Sequence, residues 1–163
     1  MMDNLHAYWR IDYVERAKSD SDDPFKYDED TGNDGERLIL FRSKFSFAIM
    51  NKYPYNPGHL LVLPHRAVSD IDELSEVERV DFFTAIGKAE SMLKKALSPD
   101  GFNIGMNIGL AAGAGIPKHL HCHVVPRWNG DTNFMPVVAN TKVLAQSQRA
   151  MFERLIAFTD AVI

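Results

Sequence analysis

The sequence predicts an α+β fold: a five-stranded antiparallel sheet covered by one long helix, with a second helix near the C-terminal end. Short apolar runs separated by short turns favour antiparallel pairing. One longer stretch repeats apolar residues at three- and four-residue steps, which is typical of an amphipathic helix. The chain has 163 residues, a length that suits one domain with a single core. We therefore expect one domain over residues 1–163.

The region before the sheet is predicted to have two parts. Residues 1–18 carry apolar side chains at a spacing that predicts an amphipathic helix: Leu5, Tyr8, Trp9, Tyr13 and Val14. Residues 20–36 are rich in Asp and Glu, which indicates a solvated acidic loop. The domain then divides into this region (1–36), a core (37–128) and a C-terminal extension (129–163).

Five runs rich in apolar residues predict the strands. They cover residues 37–43, 45–51, 59–65, 102–109 and 119–126. Pro54, Pro57 and Gly58 mark the connection between the second and third runs as a loop. A glycine-rich turn joins the fourth run to the fifth.

Two helices are predicted from periodicity and capping signals. Ser75 and Glu78 form a capping-box pattern at the start of the first helix, and Ser98 to Gly101 would end it. Its apolar series is Val77, Phe82, Ile86, Ala89, Leu93 and Leu97. The C-terminal helix is predicted from Leu144, Ser147, Met151, Leu155, Phe158 and Val162.

Composition excludes several classes of function. The net charge is −4, so the chain offers no basic field for non-specific nucleic-acid binding. Its single cysteine, Cys122, cannot form an internal disulfide, which fits a reducing cytoplasm. We see no signal-peptide pattern and no apolar run approaching the ~20 residues of a membrane span. We expect a cytoplasmic protein that binds neither nucleic acid nor membrane.

Three histidines, His119, His121 and His123, alternate in the fifth run, "HLHCHVVP". Alternate residues of a strand point to the same face, so we expect the three imidazoles to line one open surface. The opposite face would pack on the core and carry Leu120, Cys122 and Val124.

This pattern has three interpretations, which the residues alone leave open. The histidines could be core residues that happen to alternate. Two of them could hold zinc with His59 as a third ligand, because three along one straight strand converge poorly on one ion. Alternatively, the middle imidazole is a nucleophile, since neutral histidine is abundant at pH 7 and needs no strong base. The flanking histidines would then bind the oxygens of the group under attack.

A glycine-rich segment, residues 109–115, precedes the histidines. Small residues let the backbone approach a ligand, and successive N–H groups can form an anion-binding nest. Lys118 and Arg127, at either end of the histidine run, could add positive charge. These features favour an electrophile with spread negative charge, such as a phosphoryl group.

The motif "HLHCHVV" resembles the signature of the histidine triad family of nucleotide hydrolases and transferases. The stretch "FAIMNKYPYNPGHLLVLPHR" is similar to the family's strand–loop–strand, which implies that Asn51 contacts the ribose, with His59 eight residues later. The segment "MNIG" implies that Asn107 approaches the phosphates. The following "VPRW" and "GDTNFMPVVANTKVL" resemble the branch that acts on diadenosine tetraphosphate.

The resemblance implies a mechanism. His121 would attack an α-phosphate and form a nucleotidyl-histidine intermediate that water or orthophosphate resolves, while the carbonyl of His119 fixes the tautomer of His121. His123 would bind the phosphate oxygens together with the glycine-rich segment, at Gly113, Ala114 and Gly115. No cofactor is expected for the chemistry, and any divalent cation would arrive with the polyphosphate. The family's architecture implies a homodimer.

Two departures from the family pattern matter. Many relatives carry a glutamine where Gly115 stands, so that side-chain contact is missing or replaced by backbone. Relatives with a structural zinc have paired cysteines where this chain reads "DDPFKY", so we expect no such zinc. The alternatives to a dinucleoside polyphosphate enzyme are a nucleoside phosphoramidase, a metal-dependent hydrolase and a non-catalytic nucleotide-binding protein.

Overall fold

The computed structural model describes residues 24–138 and 144–160. The helix predicted over residues 1–18, the start of the acidic loop and Val162 lie outside these ranges. Within them, no helix is both long and apolar enough to cross a membrane.

The predicted five-stranded antiparallel sheet is confirmed. Its strands are β1 (Ile39–Arg42), β2 (Ser46–Met50), β3 (Leu60–Pro64), β4 (Gly101–Met106) and β5 (Cys122–Arg127). They lie in the order β1-β2-β3-β5-β4, and every neighbouring pair is antiparallel. Strand β5, which carries His123, therefore lies inside the sheet next to its edge, with β3 on one side and the edge strand β4 on the other.

The predicted start of β5 at residue 119 was wrong. Pairing with both neighbours ends at Cys122, which lies opposite Val62 of β3 and Met106 of β4. The preceding backbone bonds elsewhere, because the amide of Leu120 donates to the carbonyl of Val68 at 2.6 Å. His119 and His121 thus precede the strand, and β4 likewise ends at Met106 rather than at residue 109.

The long helix, α2 (Glu76–Leu97), follows a four-residue helix, α1 (Asp34–Arg37). Its capping box is present: the side chain of Ser75 accepts from the Glu78 amide, and the Glu78 carboxylate accepts from the Ser75 amide at 2.8 Å. Its buried face consists of Phe82, Ala85, Ile86, Ala89, Met92, Leu93 and Ala96. Val77, which the sequence placed in the apolar series, is exposed.

The apolar residues that alternate with the histidines lie on the core side of the sheet, as predicted. Leu120, Cys122 and Val124 belong to the core cluster that also contains the buried face of α2. Burial raises the pKa of the Cys122 thiol to about 11. The prediction that Cys122 is a core residue is confirmed.

The opposite face of the sheet carries a second apolar cluster, and part of the acidic loop covers it. The cluster consists of Ile39, Phe47, Ile49, Leu61 and Leu63. Phe25 and Tyr27 pack against it, so the prediction of a solvated loop was wrong for these two residues. Arg42 anchors the segment: its guanidinium pairs with Asp34 and donates to the carbonyl of Asp28.

The C-terminal helix, α4 (Gln148–Ile156), follows a short helix, α3 (Met135–Val138). Ser147 caps α4 by accepting from the Ala150 amide at 3.2 Å, and this cap sets its start. Met151, Phe152 and Leu155 are buried in the core under the sheet. The helix is shorter than predicted, because Leu144 precedes it and Phe158 follows it.

Candidate active site

His121 is held in one tautomer by the backbone. Its Nδ1 lies 2.8 Å from the carbonyl oxygen of His119, and the residue is only 6% exposed. A carbonyl oxygen can only accept, so Nδ1 carries the hydrogen and Nε2 carries the lone pair. This is the contact that the family resemblance implied. It leaves His121 with a nucleophilic nitrogen without deprotonation by another side chain.

His119 does not lie on an open surface, contrary to the sequence-based expectation. It is 0% exposed, and its Nε2 lies 2.8 Å from the carbonyl oxygen of Pro64. The ring of Phe25 packs on it edge-on, with centroids 6.1 Å apart. The imidazole therefore ties the histidine segment to the end of β3. His119 is unsuitable as a ligand for phosphate oxygens because its ring is buried, and not because of its position along the strand.

A chain of hydrogen bonds orients His123. The amide of Tyr55 donates to Nδ1 of His59 at 3.0 Å, and Nε2 of His59 lies 3.0 Å from Nδ1 of His123. A backbone N–H can only donate, so in the neutral ring of His59 the hydrogen sits on Nε2 and bonds to His123. His123 then carries its own hydrogen on Nε2. Its ring centroid lies 5.1 Å from that of His121, which places a hydrogen-bond donor beside the ring of His121.

The structure brings Asn51 and His59 together. The side-chain nitrogen of Asn51 lies 3.3 Å from each ring nitrogen of His59, and its Oδ1 accepts from the Tyr53 amide at 2.9 Å. Gln148, at the start of α4, donates to the backbone carbonyl of Asn51 at 2.8 Å. The C-terminal helix therefore supports the loop that carries Asn51. The contact of Asn51 with ribose stays a prediction.

The glycine-rich segment is a tight turn built on left-handed residues. Gly109 and Gly113 have φ angles of 80° and 87°, which only glycine adopts without strain. The amide of Gly113 donates to the carbonyl of Leu110 at 3.0 Å, and that of Ala114 donates to the carbonyl of Gly109 at 3.3 Å. These amides bond inside the turn instead of converging on a ligand, which contradicts the nest expected at these positions. The phosphate contacts of the segment, Gly115 included, stay a prediction.

Of the two cations expected to flank the histidines, Lys118 is exposed, whereas Arg127 is paired. Nε and Nη2 of Arg127 bond to the two carboxylate oxygens of Asp131 at 2.6 and 2.9 Å, and Nη1 donates to Asn103 at 2.7 Å. This bidentate pair holds the pKa of Asp131 far below its usual range. Asp131 also accepts from the side chain of Asn56 at 2.7 Å. The positive charge of Arg127 is therefore fixed in place and compensated by the carboxylate of Asp131.

A cavity of about 540 Å³ brings several of these groups together. Its walls come from β4, β5 and the two loops above them: Tyr55, Asn56, Asn103, Ile104, Gly105, Met106, Asn107, His123, Val125, Arg127 and Thr132. Two predicted substrate-binding residues, Asn107 and Arg127, thus share one cavity with His123.

Sequence reasoning missed two aromatic residues at this site. The ring of Tyr55 stacks on that of His123 with centroids 5.7 Å apart and an interplanar angle of 23°. The ring of Phe25 lies 5.6 Å from that of His121. Their surroundings gave no local signal, since Tyr55 sits in a proline-rich loop and Phe25 among acids. The one signal that could have found them is the presence of an aromatic residue in a segment expected to be solvated.

The zinc interpretation finds no support in the geometry. Across residues 24–138 and 144–160, no group of three or more His, Cys, Asp or Glu side chains is placed to hold a metal ion. Two ligands of that hypothesis, His59 and His123, instead bond to each other.

Comparisons with known proteins place this geometry in a family. The HIT domain matches residues 34–130, more than half of the chain. The AP-4-A phosphorylase of Mycobacterium tuberculosis is 44% identical over 117 residues, which cover 72% of this chain and 60% of that protein. The asymmetrical bis(5'-nucleosyl)-tetraphosphatase of Schizosaccharomyces pombe is 39% identical over 93 residues, covering 57% of this chain and 50% of that protein.

The fold agrees with a solved structure. The crystal structure of the Caenorhabditis elegans NitFhit protein superposes with a TM-score of 0.61 and 28% identity, covering 76% of this chain and 27% of the other. The chain spans less than two thirds of the length of each of these relatives. The match over residues 34–130 includes the three histidines, the strands that position them and the covering helix, and the chain belongs to the HIT domain family.

Proposed function

We propose that this protein cleaves dinucleoside polyphosphates, diadenosine tetraphosphate first among them, at an α-phosphate through a covalent intermediate on His121. One observation carries the proposal: the carbonyl of His119 holds Nδ1–H of His121 at 2.8 Å and leaves the lone pair on Nε2. The names of the relatives, a phosphorylase and a tetraphosphatase of such substrates, support the same class.

In the first step, Nε2 of His121 forms a bond to the α-phosphorus, and the bond from that phosphorus to the bridging oxygen breaks. The electron pair of the broken bond leaves with the departing nucleotide, and Nε2–H of His123 donates a hydrogen bond to the oxygens that gain charge. The histidine ring becomes cationic once phosphorylated, and the carbonyl of His119 stabilises its Nδ1–H. Positioning and charge stabilisation thus dominate the step.

In the second step, a small nucleophile attacks the same phosphorus, and the P–N bond breaks with its electron pair returning to Nε2. Water gives AMP, and orthophosphate gives ADP. From diadenosine tetraphosphate the first product is ATP in either case. The His121 ring is regenerated in its starting tautomer, because the bond to the His119 carbonyl persists throughout.

The test is product analysis by anion-exchange chromatography after incubation with diadenosine tetraphosphate, with and without orthophosphate and chelator. ADP plus ATP appearing only with phosphate identifies a phosphorylase. AMP plus ATP without phosphate identifies a hydrolase. Substrate labelled at the α-phosphate should leave acid-labile, base-stable label on the protein, as a P–N bond requires. The proposal fails if no nucleotide product forms under any condition.

We also propose that the protein is a homodimer. β4 is an edge strand, and Ile104 on it is 45% exposed. Val77, Val80 and Phe83 repeat at three-residue steps on α2 and are 56–64% exposed. Pairing of edge strands across a two-fold axis would cover such an apolar surface.

The cytoplasm, where the lone Cys122 stays reduced, remains the predicted location.

Light scattering after size-exclusion chromatography tests the dimer. We expect twice the chain mass for the wild type and a monomer for Phe83→Asp, because a carboxylate would be buried at the interface. The matched control is Lys88→Asp on the same helix, which is expected to leave the mass unchanged. A monomeric wild type at micromolar concentration would contradict the proposal.

A further inference from the structure

The two flanks of His121 differ in chemistry. On one side lie Phe25, 5.6 Å from the ring, and the second apolar cluster. On the other side lies His123, and beyond it the cavity of about 540 Å³. The nucleoside that stays on the attacked phosphorus and the group that leaves it can therefore meet different surroundings.

The cavity continues from the histidines along the sheet. Gly105 pairs with His123 and Asn103 pairs with Val125, so successive lining residues of the two strands lie side by side. From His123 to Arg127 the strand advances by about 13 Å. The volume falls within the range of about 300–1,000 Å³ found for small-molecule sites. The cavity is thus large enough for a nucleoside and begins at His123, the proposed hydrogen-bond donor to the leaving oxygen.

The walls fit an uncharged polar group better than a chain of bare phosphates. Tyr55 offers an aromatic ring, and Asn103, Asn107 and Thr132 offer amide and hydroxyl groups. Arg127 is the cation among the lining residues, and Asp131 binds it through both carboxylate oxygens. A polyphosphate deep in this cavity would meet a cation whose charge is already compensated by a carboxylate. A base and a ribose would meet a ring and hydrogen-bonding partners.

We propose that this cavity binds the departing half of the substrate, with its terminal nucleoside between Tyr55 and the Asn103–Arg127–Thr132 wall. The inference rests on the proposed function and adds a specificity to it. The enzyme should favour substrates with a nucleoside at both ends of the polyphosphate over mononucleotides with a small or fully charged leaving group.

Gly105 makes the inference testable. It lines the cavity opposite His123, and a Cβ added there would meet no atom within 4 Å. The Cβ of a valine would therefore enter the cavity without meeting the protein around it, its two methyl groups would extend further, and β-branched residues suit strands. Gly101 is the matched control: it lies on the same strand, a Cβ there also meets nothing within 4 Å, and it does not line the cavity.

The experiment compares two substrates, diadenosine tetraphosphate and adenosine 5′-phosphorimidazolide, whose leaving group is a single imidazole. The measured ratio is kcat/KM for the tetraphosphate divided by kcat/KM for the imidazolide. We expect Gly105→Val to lower this ratio at least tenfold. Gly101→Val should keep the wild-type ratio. An unchanged ratio in Gly105→Val overturns the inference, whether or not both rates fall, because damage to the shared nucleophile lowers both equally.

The same assay separates this inference from the proposed function. Wild-type protein that uses neither substrate refutes the function itself, and one that uses the imidazolide alone refutes the dinucleotide substrate class. If the wild-type protein turns over the tetraphosphate but not the imidazolide, the inference is supported, since a small leaving group is then not sufficient for turnover. If Gly105→Val does not fold, Gly105→Ala serves in its place, with a threefold fall in the ratio expected and an unchanged ratio again overturning the inference.

Discussion

The histidine cluster and the loops that flank it are built on different principles. The histidine cluster consists of His59, His119, His121 and His123, and backbone groups hold it. Buried carbonyl groups fix His119 and His121, and the amide of Tyr55 begins the chain of hydrogen bonds through His59 to His123. The glycine-rich segment is held by short-range bonds between its own backbone groups, whereas the turn that ends at Asp131 also bonds to Asn56 of a distant loop. The tautomers of the cluster are therefore set by bonds that the protein makes on its own, and the glycine-rich segment contributes none of these bonds.

The largest expected effect is loss of the nucleophile. His121→Ala should lower kcat for diadenosine tetraphosphate by at least about 10³-fold, because no other group in the cluster offers a lone pair at the same point. The neighbouring Cys122→Ala, on the opposite face, is the control and should keep kcat within a factor of about two. Rates and circular dichroism spectra of both variants check this. Equal losses in the two would show that folding, not chemistry, was affected.

The next effect concerns His59 as a positioning residue. His59→Phe keeps a ring of similar shape but removes the donor that fixes the tautomer of His123, and we expect kcat/KM to fall by about 10²-fold. The pH profile from about pH 5 to about pH 9, where imidazole titrates, should change shape as well as height. A uniformly lower profile of unchanged shape would point to a packing role instead.

A smaller effect is expected at Asp131, and it appears in stability. Hydrogen bonds from Arg127 hold the pKa of this carboxyl well below its usual range, so its contribution is present above the ordinary value near 4 and fades as the pH falls further. Asp131→Asn should lower Tm at neutral pH by about 2–4 °C or less. The gap between variant and wild type should narrow on acidification. A gap that widened toward low pH would refute the assignment.

The smallest effect on turnover is expected in the glycine-rich segment. Gly109→Ala places a Cβ at a φ of 80° and a ψ of 161° without any clash, and this nearly glycine-only region costs an alanine about 1–3 kcal/mol of unfolding free energy through backbone strain. We expect kcat to change by less than a factor of about three, because the histidine bonds do not depend on this turn. Gly101→Ala, at an ordinary φ, is the control for chemical denaturation. A large loss of kcat in Gly109→Ala would show that the turn is as essential as the cluster.

Local pattern was enough to predict the strands, the capped helix and the inward face of the histidine segment, because period-two alternation and the Ser75–Glu78 pair are short-range signals. The burial of His119 could not be predicted, since it depends on the carbonyl of Pro64, 55 positions away. Likewise, acidic neighbours suggested solvent for Phe25, and contact with the sheet overrode them. The sequence indicated Arg127 only as a source of positive charge, and its pairing with Asp131 appears only in the structure.

The bond from Gln148 to the carbonyl of Asn51 joins residues 97 positions apart. During synthesis the three histidines emerge before Gln148 does, so the sheet and the relay from Tyr55 to His123 can assemble first. The loop bearing Asn51 gains its last support only when α4 docks. Contacts that close such long loops form late, and a chain arrested before residue 148 would lack this support as well as the core residues Met151, Phe152 and Leu155 of α4.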